Sequence, residues 1–326
     1  MKFNMTRLEK RWVLYDVGNS AFTMLVSTIM PIYFNALAEA EGLSSVDYLA
    51  YWGYATSIAT LIVAISAPVL GTLADCPGWK KHLFSISVLV GSIGCMVLGM
   101  MQSWLWFLVL FVIAKAAYSL SLVFYDSMLT DITSPDRMDK ISSHGYAWGY
   151  IGSCIPFVLS LALVLGYGFL GISQTTAMML AFLLIALWWL MLTLPLWKSY
   201  HQVHSAPVHG NPITSSFSRL GHIFSELSQN KKILFFLLAF FFYIDGVYTI
   251  IDMATAYGTA LGLNTTGLLL ALLLTQIVAF PAALIFGRLS EKCKTHKLIL
   301  TCIVAYFLIA LYAMGLHQQY QFWILA

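Results

Sequence analysis

Long apolar runs separated by short polar turns dominate this chain. Nine of the runs reach the roughly 20 residues that an α-helix needs to cross the hydrocarbon core of a bilayer. They lie near residues 12–37, 49–74, 83–101, 104–130, 145–167, 174–197, 233–257, 266–286 and 298–316. A further apolar segment begins at residue 322. The pattern predicts an all-α polytopic membrane protein with nine full spans and the start of a tenth.

The longest polar interruption, residues 198–232, separates six runs from the rest. It is rich in histidine, proline and serine, and we see no sustained apolar face in it. Such segments are typical of connections. We therefore expect an N-terminal six-helix bundle at residues 1–197, a cytoplasmic linker at 198–232 and a partial C-terminal bundle at 233–326. His201, His204 and His209 have no acidic or cysteine partner nearby, which favours a solvated loop over a metal site.

The composition indicates that the solvent is lipid. Hydrophobic residues make up 60% of the chain and charged residues only 10%, and the mean hydropathy is +0.81. A soluble protein of this size could not bury so much apolar surface. The five cysteines fall in predicted spans or loops and give neither a disulfide framework nor metal-ligand spacing.

The charges predict the orientation. If the N-terminus is placed inside, all of the 17 lysines and arginines except Lys115 fall on the inner side of the membrane. The first outer loop instead carries Glu39, Glu41 and Asp47. Because basic loops resist translocation, we expect a cytoplasmic N-terminus. The lack of a basic face outside these loops excludes nucleic acid as a partner.

Motifs for enzymatic chemistry are absent from the sequence. It has no phosphate-binding glycine loop, no HExxH pair and no GxSxG elbow. We therefore expect neither an ATP-driven pump nor a membrane hydrolase, and no enzymatic activity, cofactor or metal site.

The turn GTLADCPGWKK, residues 71–81, joins the second and third runs. Its glycines allow close backbone approach, and Asp75 could accept hydrogen bonds from the N–H groups that open a neighbouring helix. We expect it to act as a cytoplasmic gating loop through Gly71, Asp75, Gly78, Lys80 and Lys81.

This turn carries a family resemblance. The pattern of Gly71, Leu73, Asp75, Gly78 and Lys80 resembles the loop between helices two and three of the major facilitator superfamily of secondary transporters. Cys76 and Trp79 stand where that family usually has basic residues. A weaker version follows at Gly287, Leu289, Glu291 and Lys297. The resemblance implies two pseudo-symmetric helix bundles within a twelve-helix architecture, of which we expect this chain to be a truncated part.

Five ionisable residues fall inside the predicted spans. They are Asp16, Lys115, Asp126, Asp245 and Asp252. A charge at the centre of a membrane helix costs a few kcal/mol, so each needs a partner or a wet cavity. Asp126 lies eleven residues after Lys115 and shares its helix face, as Asp252 does with Asp245. By depth we expect Asp245 to pair with Lys115.

These residues predict one polar pathway lined by spans one, four and seven, with Lys115 and Asp245 at its centre. Asn19, Tyr125 and Tyr248 flank the charges, and an apolar wall with a few polar groups is typical of small-ligand sites. Two interpretations stay open. The buried pair only fixes helix register, or the site is functional: a carboxylate takes up a proton, or Lys115 binds an anionic group of the substrate.

Two further patterns concern packing. Gly145, Gly149 and Gly152 put small residues on one side of span five, which allows close approach of another helix. Aromatic residues near span ends are typical of interfacial anchors. We assign this role to Trp12, Trp104, Trp106 and Trp197.

A second resemblance covers most of the chain. Residues 15–22 (YDVGNSAF), the segment FYDSMLTDI with Asp136 and Arg137, residues 142–152 and residues 243–251 resemble one branch of the same superfamily. That branch includes fungal vacuolar amino-acid effluxers and their bacterial relatives. It implies a proton-linked or facilitative permease, with amino acids as the suggested substrates.

We therefore expect a transporter of small solutes that works by alternating access. We place it, as a monomer, in the lipid bilayer of a bacterial plasma membrane, with protons as a second partner. The alternative is a non-transporting fragment or a membrane scaffold.

Overall fold

The computed structural model describes residues 4–206, 212–289 and 294–326, and within these ranges the chain is helical and forms no strand. The helices are α1 Arg7–Ser27, α2 Ile29–Ala40, α3 Ser45–Ala74, α4 Trp79–Leu98, α5 Trp104–Ile132, α6 Met138–Leu165, α7 Gln174–Ser199, α8 Pro212–Gln229, α9 Lys231–Ala260, α10 Thr265–Leu289, α11 Thr295–Ala313 and α12 Gln319–Leu325. A 3-10 turn, Pro135–Arg137, precedes α6. Across the described ranges, nine stretches are long and apolar enough to span a membrane, with α1 and α2 together forming the first. The predicted all-α membrane architecture is confirmed.

The first span is broken at Thr28, where the sequence predicts one continuous helix. Thr28 has φ −126° and ψ −81° and separates α1 from α2. Its hydroxyl donates to the carbonyl oxygen of Met24, and the Ser27 hydroxyl donates to that of Thr23 at 3.0 Å. Because serine and threonine side chains can compete with the backbone for helical carbonyls, adjacent Ser27 and Thr28 favour a bend here.

The two ends of the helix bundle differ in charge. We call the end that holds the start of α1, the α3–α4 turn and the start of α6 the basic end; Lys80, Lys81 and Arg137 lie there. We call the opposite end, with the α2–α3 turn and the α6–α7 turn, the far end. Glu39, Glu41 and Asp47 fall at the far end.

Helix α1 is the central element of the first half and packs against α6 and α7. The glycine stripe of α6 faces it directly. A Cβ at Gly149 would lie 2.6 Å from Ser20 Oγ, and one at Gly152 would lie 2.4 Å from Val17 Cγ1. The predicted packing role of these glycines is therefore confirmed.

Trp12 is a core residue, so its assignment as an interfacial anchor is wrong. It is buried, its ring stacks on Tyr125 with centroids 4.2 Å apart, and its indole N–H donates to the Tyr125 carbonyl oxygen at 3.1 Å. A tryptophan near a span end can lie at the membrane–water interface or pack in the protein core. Trp12 packs in the core because Tyr125 stacks on its ring and accepts its N–H. Trp106, by contrast, is exposed.

The segment between the halves contains a helix that the sequence interpretation missed. Helix α8 occupies Pro212–Gln229 and packs against α3. The signal was present, because Ile213, Phe217, Leu220, Phe224 and Leu227 follow the spacing of an apolar helix face. The abundance of histidine, proline and serine before it hid this pattern. His209 and the rest of residues 207–211 lie outside the described residues.

The second half begins with α9, whose two ends differ sharply. None of its described residues from 231 to 251 is buried, whereas Asp252, Thr255, Ala256 and Gly258 are. Helix α10 packs along α6, with the rings of Trp148 and Phe280 5.8 Å apart. The two halves therefore join along the α6–α10 contact and at the far end of α9.

Candidate functional site

Lys115 of α5 and Asp252 of α9 form an ion pair between the two halves. The Lys115 Nζ atom lies 2.6 Å from Asp252 Oδ2, and each side chain is 12% exposed. The predicted pairing of Lys115 with Asp245 is therefore wrong. Asp245 is exposed and forms no ion pair with any described residue.

The direction of the side chains explains the difference. In a helix, side chains lean toward the N-terminus. Helix α5 starts at the far end, so Lys115 leans that way, while Asp252 leans back from the far end to meet it. Asp245 lies seven residues earlier in α9, about 10 Å closer to the basic end. Lys115 leans toward the far end, so its side chain points away from Asp245. The prediction compared only Cα depths.

A set of contacts around this pair joins α9 to the first half, and we call it the far-end seal. Its members are Ser27, Trp52, Lys115, Asp252 and Thr255. The Trp52 indole N–H donates to the Asp252 carbonyl oxygen at 3.2 Å, and the Thr255 hydroxyl donates to the Ser27 carbonyl oxygen. Trp52 is fully buried and stacks on Phe111 with centroids 4.4 Å apart.

On the basic side of the seal, polar side chains from both halves lie near one another. Tyr248 of α9 lies within electrostatic range of Asp126 of α5 and of Tyr146 of α6. Tyr146 is 56% and Tyr248 53% exposed, and Asp126 is exposed as well. Because these exposed groups of the two halves lie within electrostatic range of one another, they mark a shared polar region between α5, α6 and α9. We call this region the tyrosine compartment, lined by Asp16, Tyr118, Asp126, Tyr146, Tyr150 and Tyr248.

Asp16 is the deepest carboxylate of this compartment. The residue is only 8% exposed, and the Asn19 amide donates to its Oδ1 atom at 3.3 Å. Its Oδ2 atom accepts no hydrogen bond from a described residue. Cβ atoms at Gly145 and Gly149 would lie 3.1 and 3.5 Å from Oδ2, so the glycines of α6 leave room for this oxygen.

Tyr125, expected to line the pathway, lies in the core instead. It is buried, and its hydroxyl donates to the Trp12 carbonyl oxygen at 3.2 Å. Asn19 is also buried. Its amide donates a hydrogen bond to Asp16. Exposed Tyr146 and half-buried Tyr150 of α6 were not selected from the sequence, although they lie one helical turn apart and share a face.

The predicted gating loop is attached to α5 and to the segment after α7. Lys80 Nζ lies 3.2 Å from Asp131 Oδ2, with both side chains almost fully buried, and Lys81 donates to the Tyr200 carbonyl oxygen at 3.3 Å. Gly78 has φ +78°, which only glycine adopts easily, and its N–H donates to Gln202 Oε1 at 3.0 Å.

The other two members of the loop behave differently. Gly71 lies inside α3. The Asp75 side chain is exposed and accepts no hydrogen bond from a described residue, so its expected contact with a neighbouring helix is not formed. It is the backbone carbonyl of Asp75 that accepts, from the Ala206 N–H at 2.8 Å.

Asp131 is the residue at the basic end that the sequence analysis missed. Besides Lys80, it accepts from the Tyr200 hydroxyl at 2.5 Å and from the His204 N–H at 2.8 Å. A signal existed, because a carboxylate in the last turn of a helix opposes the helix dipole and needs a cationic or hydrogen-bonding partner. Asp131 thus joins the α3–α4 turn to the beginning of the segment between the halves.

A second ion pair ties α1 to α6 at the same end. Arg137 donates to Glu9 from Nε at 2.9 Å and from Nη2 at 2.8 Å, and Thr133 donates to the same carboxylate at 2.7 Å. A two-point arginine–carboxylate contact fixes both distance and orientation. The basic end of the first half is therefore firmly held.

Comparison with known proteins places this architecture in a family. The model of the family described as "Vacuole effluxer Atg22 like" matches residues 6–326. An uncharacterized MFS-type transporter of Bacillus subtilis, YxiO, is 38% identical over 100% of this chain and 77% of its own length. Autophagy-related protein 22-1 of Penicillium rubens is 27% identical over 56% of this chain, which corresponds to 34% of the relative. For autophagy-related protein 22 of Coccidioides immitis the identity is 28%, over 54% of this chain and 31% of the relative.

These matches agree with the nine apolar, membrane-length stretches found among the described residues. They favour transport over the scaffold alternative. The chain belongs to the family of vacuole effluxer Atg22-like proteins, a group of multi-pass membrane transporters of the MFS type.

Proposed function

We propose that the two halves of this transporter, residues 4–197 and 233–326, alternate about the tyrosine compartment, with residues 198–232 as the connection between them. In this proposal the far-end seal is one gate of the solute path. Solute reaches the compartment from the basic end while the seal is closed, and leaves at the far end when the seal opens.

One observation carries this proposal. The inter-half contacts of α9 collect at one end, from Asp252 onward, while residues 231–251 include no buried residue. A space closed at one end and open at the other is what a carrier needs in one of its two states. The ion pair and the two hydrogen bonds of the seal are few enough to break and reform during a cycle.

The basic end faces the cytoplasm in this proposal. Support comes from the lysines and arginines, which gather in the loops of that end, since basic loops stay on the inner side of a membrane. The structure would then be in an inward-open state. The match of a Bacillus protein to 100% of this chain favours a bacterial plasma membrane.

Small solutes, with amino acids as the class that the family resemblance implies, are the proposed cargo. Protons are the proposed coupling ion, because Asp16 and Asp126 lie in or beside the compartment without a cationic partner among the described residues. Such carboxylates can bind a proton at little electrostatic cost.

A reversible tether across the far-end seal tests alternation. Ser27→Cys and Thr255→Cys would be introduced into a chain whose native cysteines are replaced by serine or alanine, and the protein reconstituted into proteoliposomes with a panel of radiolabelled amino acids. A bifunctional methanethiosulfonate reagent should stop transport, and a reducing agent should restore it. Ser27→Cys alone, treated identically, is the matched control and should stay active. Unchanged transport by the tethered protein would contradict the proposal.

A further inference from the structure

We infer that the tyrosine compartment binds a protonated amine of the solute, between the carboxylates of Asp16 and Asp126 and the rings of Tyr146 and Tyr248. The inference rests on the proposed function, since it names the chemical class of solute that the compartment receives. It concerns binding and can therefore be tested apart from alternation.

The first support is the charge of the compartment. Asp16 and Asp126 form no ion pair with a described residue. Lys115, which lies near the middle of its span, is engaged by Asp252 at 2.6 Å. When Asp16 and Asp126 are both ionised, the two carboxylates give the compartment negative charge that no described residue balances by an ion pair. They would repel an anionic solute, whereas an ammonium group would be attracted.

The second support is an unused acceptor at the bottom of the compartment. Asp16 is more than nine-tenths buried, and Asn19 occupies only its Oδ1 atom. The free Oδ2 atom borders the glycine stripe of α6, where side chains are absent and a Cβ at Gly145 would come within 3.1 Å. A carboxylate in a nearly buried residue is costly to keep ionised when it has only one hydrogen bond. An ammonium group, with its three N–H donors, would remove that cost.

The third support is the aromatic lining. Tyr146 and Tyr150 lie on one face of α6 with ring centroids 6.4 Å apart, and Tyr248 of α9 lies within electrostatic range of both. Tyr146 and Tyr248 are more than half exposed, unlike tyrosines used for core packing. Aromatic faces attract organic cations through the electrostatic field of the ring.

The same lining argues against a metal cation as the ligand. Hard divalent cations prefer six or more oxygen ligands. Among the described residues, no group of three or more histidine, cysteine, aspartate or glutamate side chains could hold a metal ion. Two carboxylates with several rings suit an amine attached to an apolar body.

Three probes of matched size separate the charge classes. The purified chain in lipid nanodiscs at neutral pH would be titrated by calorimetry with phenethylammonium, with 3-phenylpropionate and with 3-phenylpropan-1-ol. We expect phenethylammonium to bind at least tenfold more tightly than either of the others. Asp16→Asn and Asp126→Asn should each weaken that binding at least tenfold, while Glu41→Gln, which removes an exposed carboxylate at the far end, should leave it unchanged.

Several results would overturn the inference. One is equal or tighter binding of 3-phenylpropionate, and another is unaltered phenethylammonium binding in both asparagine variants. Asp16 is buried, so its variant needs a thermal unfolding check. Asp126 is exposed, and its variant keeps the test valid if the Asp16 variant does not fold.

The tether experiment distinguishes the two proposals. If phenethylammonium fails to bind preferentially while the tether still stops transport of another solute, the amine inference falls and alternation stands. If phenethylammonium binds as expected while tethered protein transports normally, the amine inference stands and alternation falls.

Discussion

The charged ends of Lys115 and Asp252, 2.6 Å apart, form the one ion pair among the described residues that joins the first half to the second. Breaking a buried pair leaves the remaining charge without compensation, which costs about 3–5 kcal/mol, whereas replacing both partners by apolar residues is often neutral. This asymmetry separates a structural role from a functional one.

Lys115→Met should therefore lower the stability of the chain clearly, and Lys115→Met with Asp252→Leu should recover most of it. Thermal unfolding in detergent measures both. Transport by the double variant decides the role: loss of transport with recovered stability indicates a functional pair, and full transport indicates a pair that only fixes helix register. Asp245→Asn is the control and should keep wild-type stability, because Asp245 is exposed and unpaired among the described residues.

The close approach of α1 and α6 predicts a packing defect. A Cβ at Gly152 would lie 2.4 Å from Val17 Cγ1, so Gly152→Ala should destabilise the chain by about 1–3 kcal/mol. Adding Val17→Ala should restore part of the loss in thermal unfolding. Gly246→Ala is a matched control, since nothing lies within 4 Å of its added Cβ. Equal stability of the two alanine variants would show that the helices separate easily.

Asp131 at the basic end predicts a local effect on residues 200–206. Asp131→Asn removes the partner of buried Lys80 and weakens the acceptor for Tyr200 and His204. Hydrogen exchange at residues 200–206 should rise strongly. Tyr200→Phe, which removes one hydrogen bond worth about 1 kcal/mol, should have a smaller effect. Asp75→Asn should have none on that segment, and protection unchanged in the Asp131 variant would contradict the assignment.

Proton coupling predicts a response to a pH gradient. If Asp16 or Asp126 carries the proton, an imposed gradient should drive uptake of a transported amino acid into proteoliposomes against its concentration difference. The matching asparagine variant should lose this uphill component, and the exchange that it retains at saturating, equal concentrations of the amino acid should not respond to the gradient. If the uptake rate of the wild-type chain does not respond to the pH gradient, the result would contradict proton coupling and would indicate facilitated diffusion.

The spans could be predicted from the sequence because lipid imposes one simple requirement, a long apolar helix. All nine predicted runs match helices. The packing role of the glycines in α6 could also be predicted from the sequence, since residues 145, 149 and 152 fall on one face of any helix. Both features depend on the periodicity of a single element.

Contacts between elements were harder to predict. The partner of Lys115 depended on the direction in which two antiparallel helices project their side chains, which Cα depth does not include. Trp12 depended on a neighbour 113 residues away. Asp131 was overlooked because it lies near a span end, where a charged side chain can reach water and does not attract notice. Its position in the last turn of α5, where a carboxylate opposes the helix dipole, was the signal that indicated a partner.

The break at Thr28 lies directly beside the Ser27 carbonyl that accepts from Thr255. Toward the basic end, the glycines of α6 allow α1 to pack closely against that helix. Trp12 of α1 stacks on Tyr125 of α5.

Helix α2 contacts α3, α5 and α9, and its Tyr33 and Phe34 are buried. The bend at Thr28 thus gives the two parts of one span different partners, because α1 lies along α6 and α7 while α2 lies against α3. As a consequence, α9 docks onto the first half at the point where its first span changes direction.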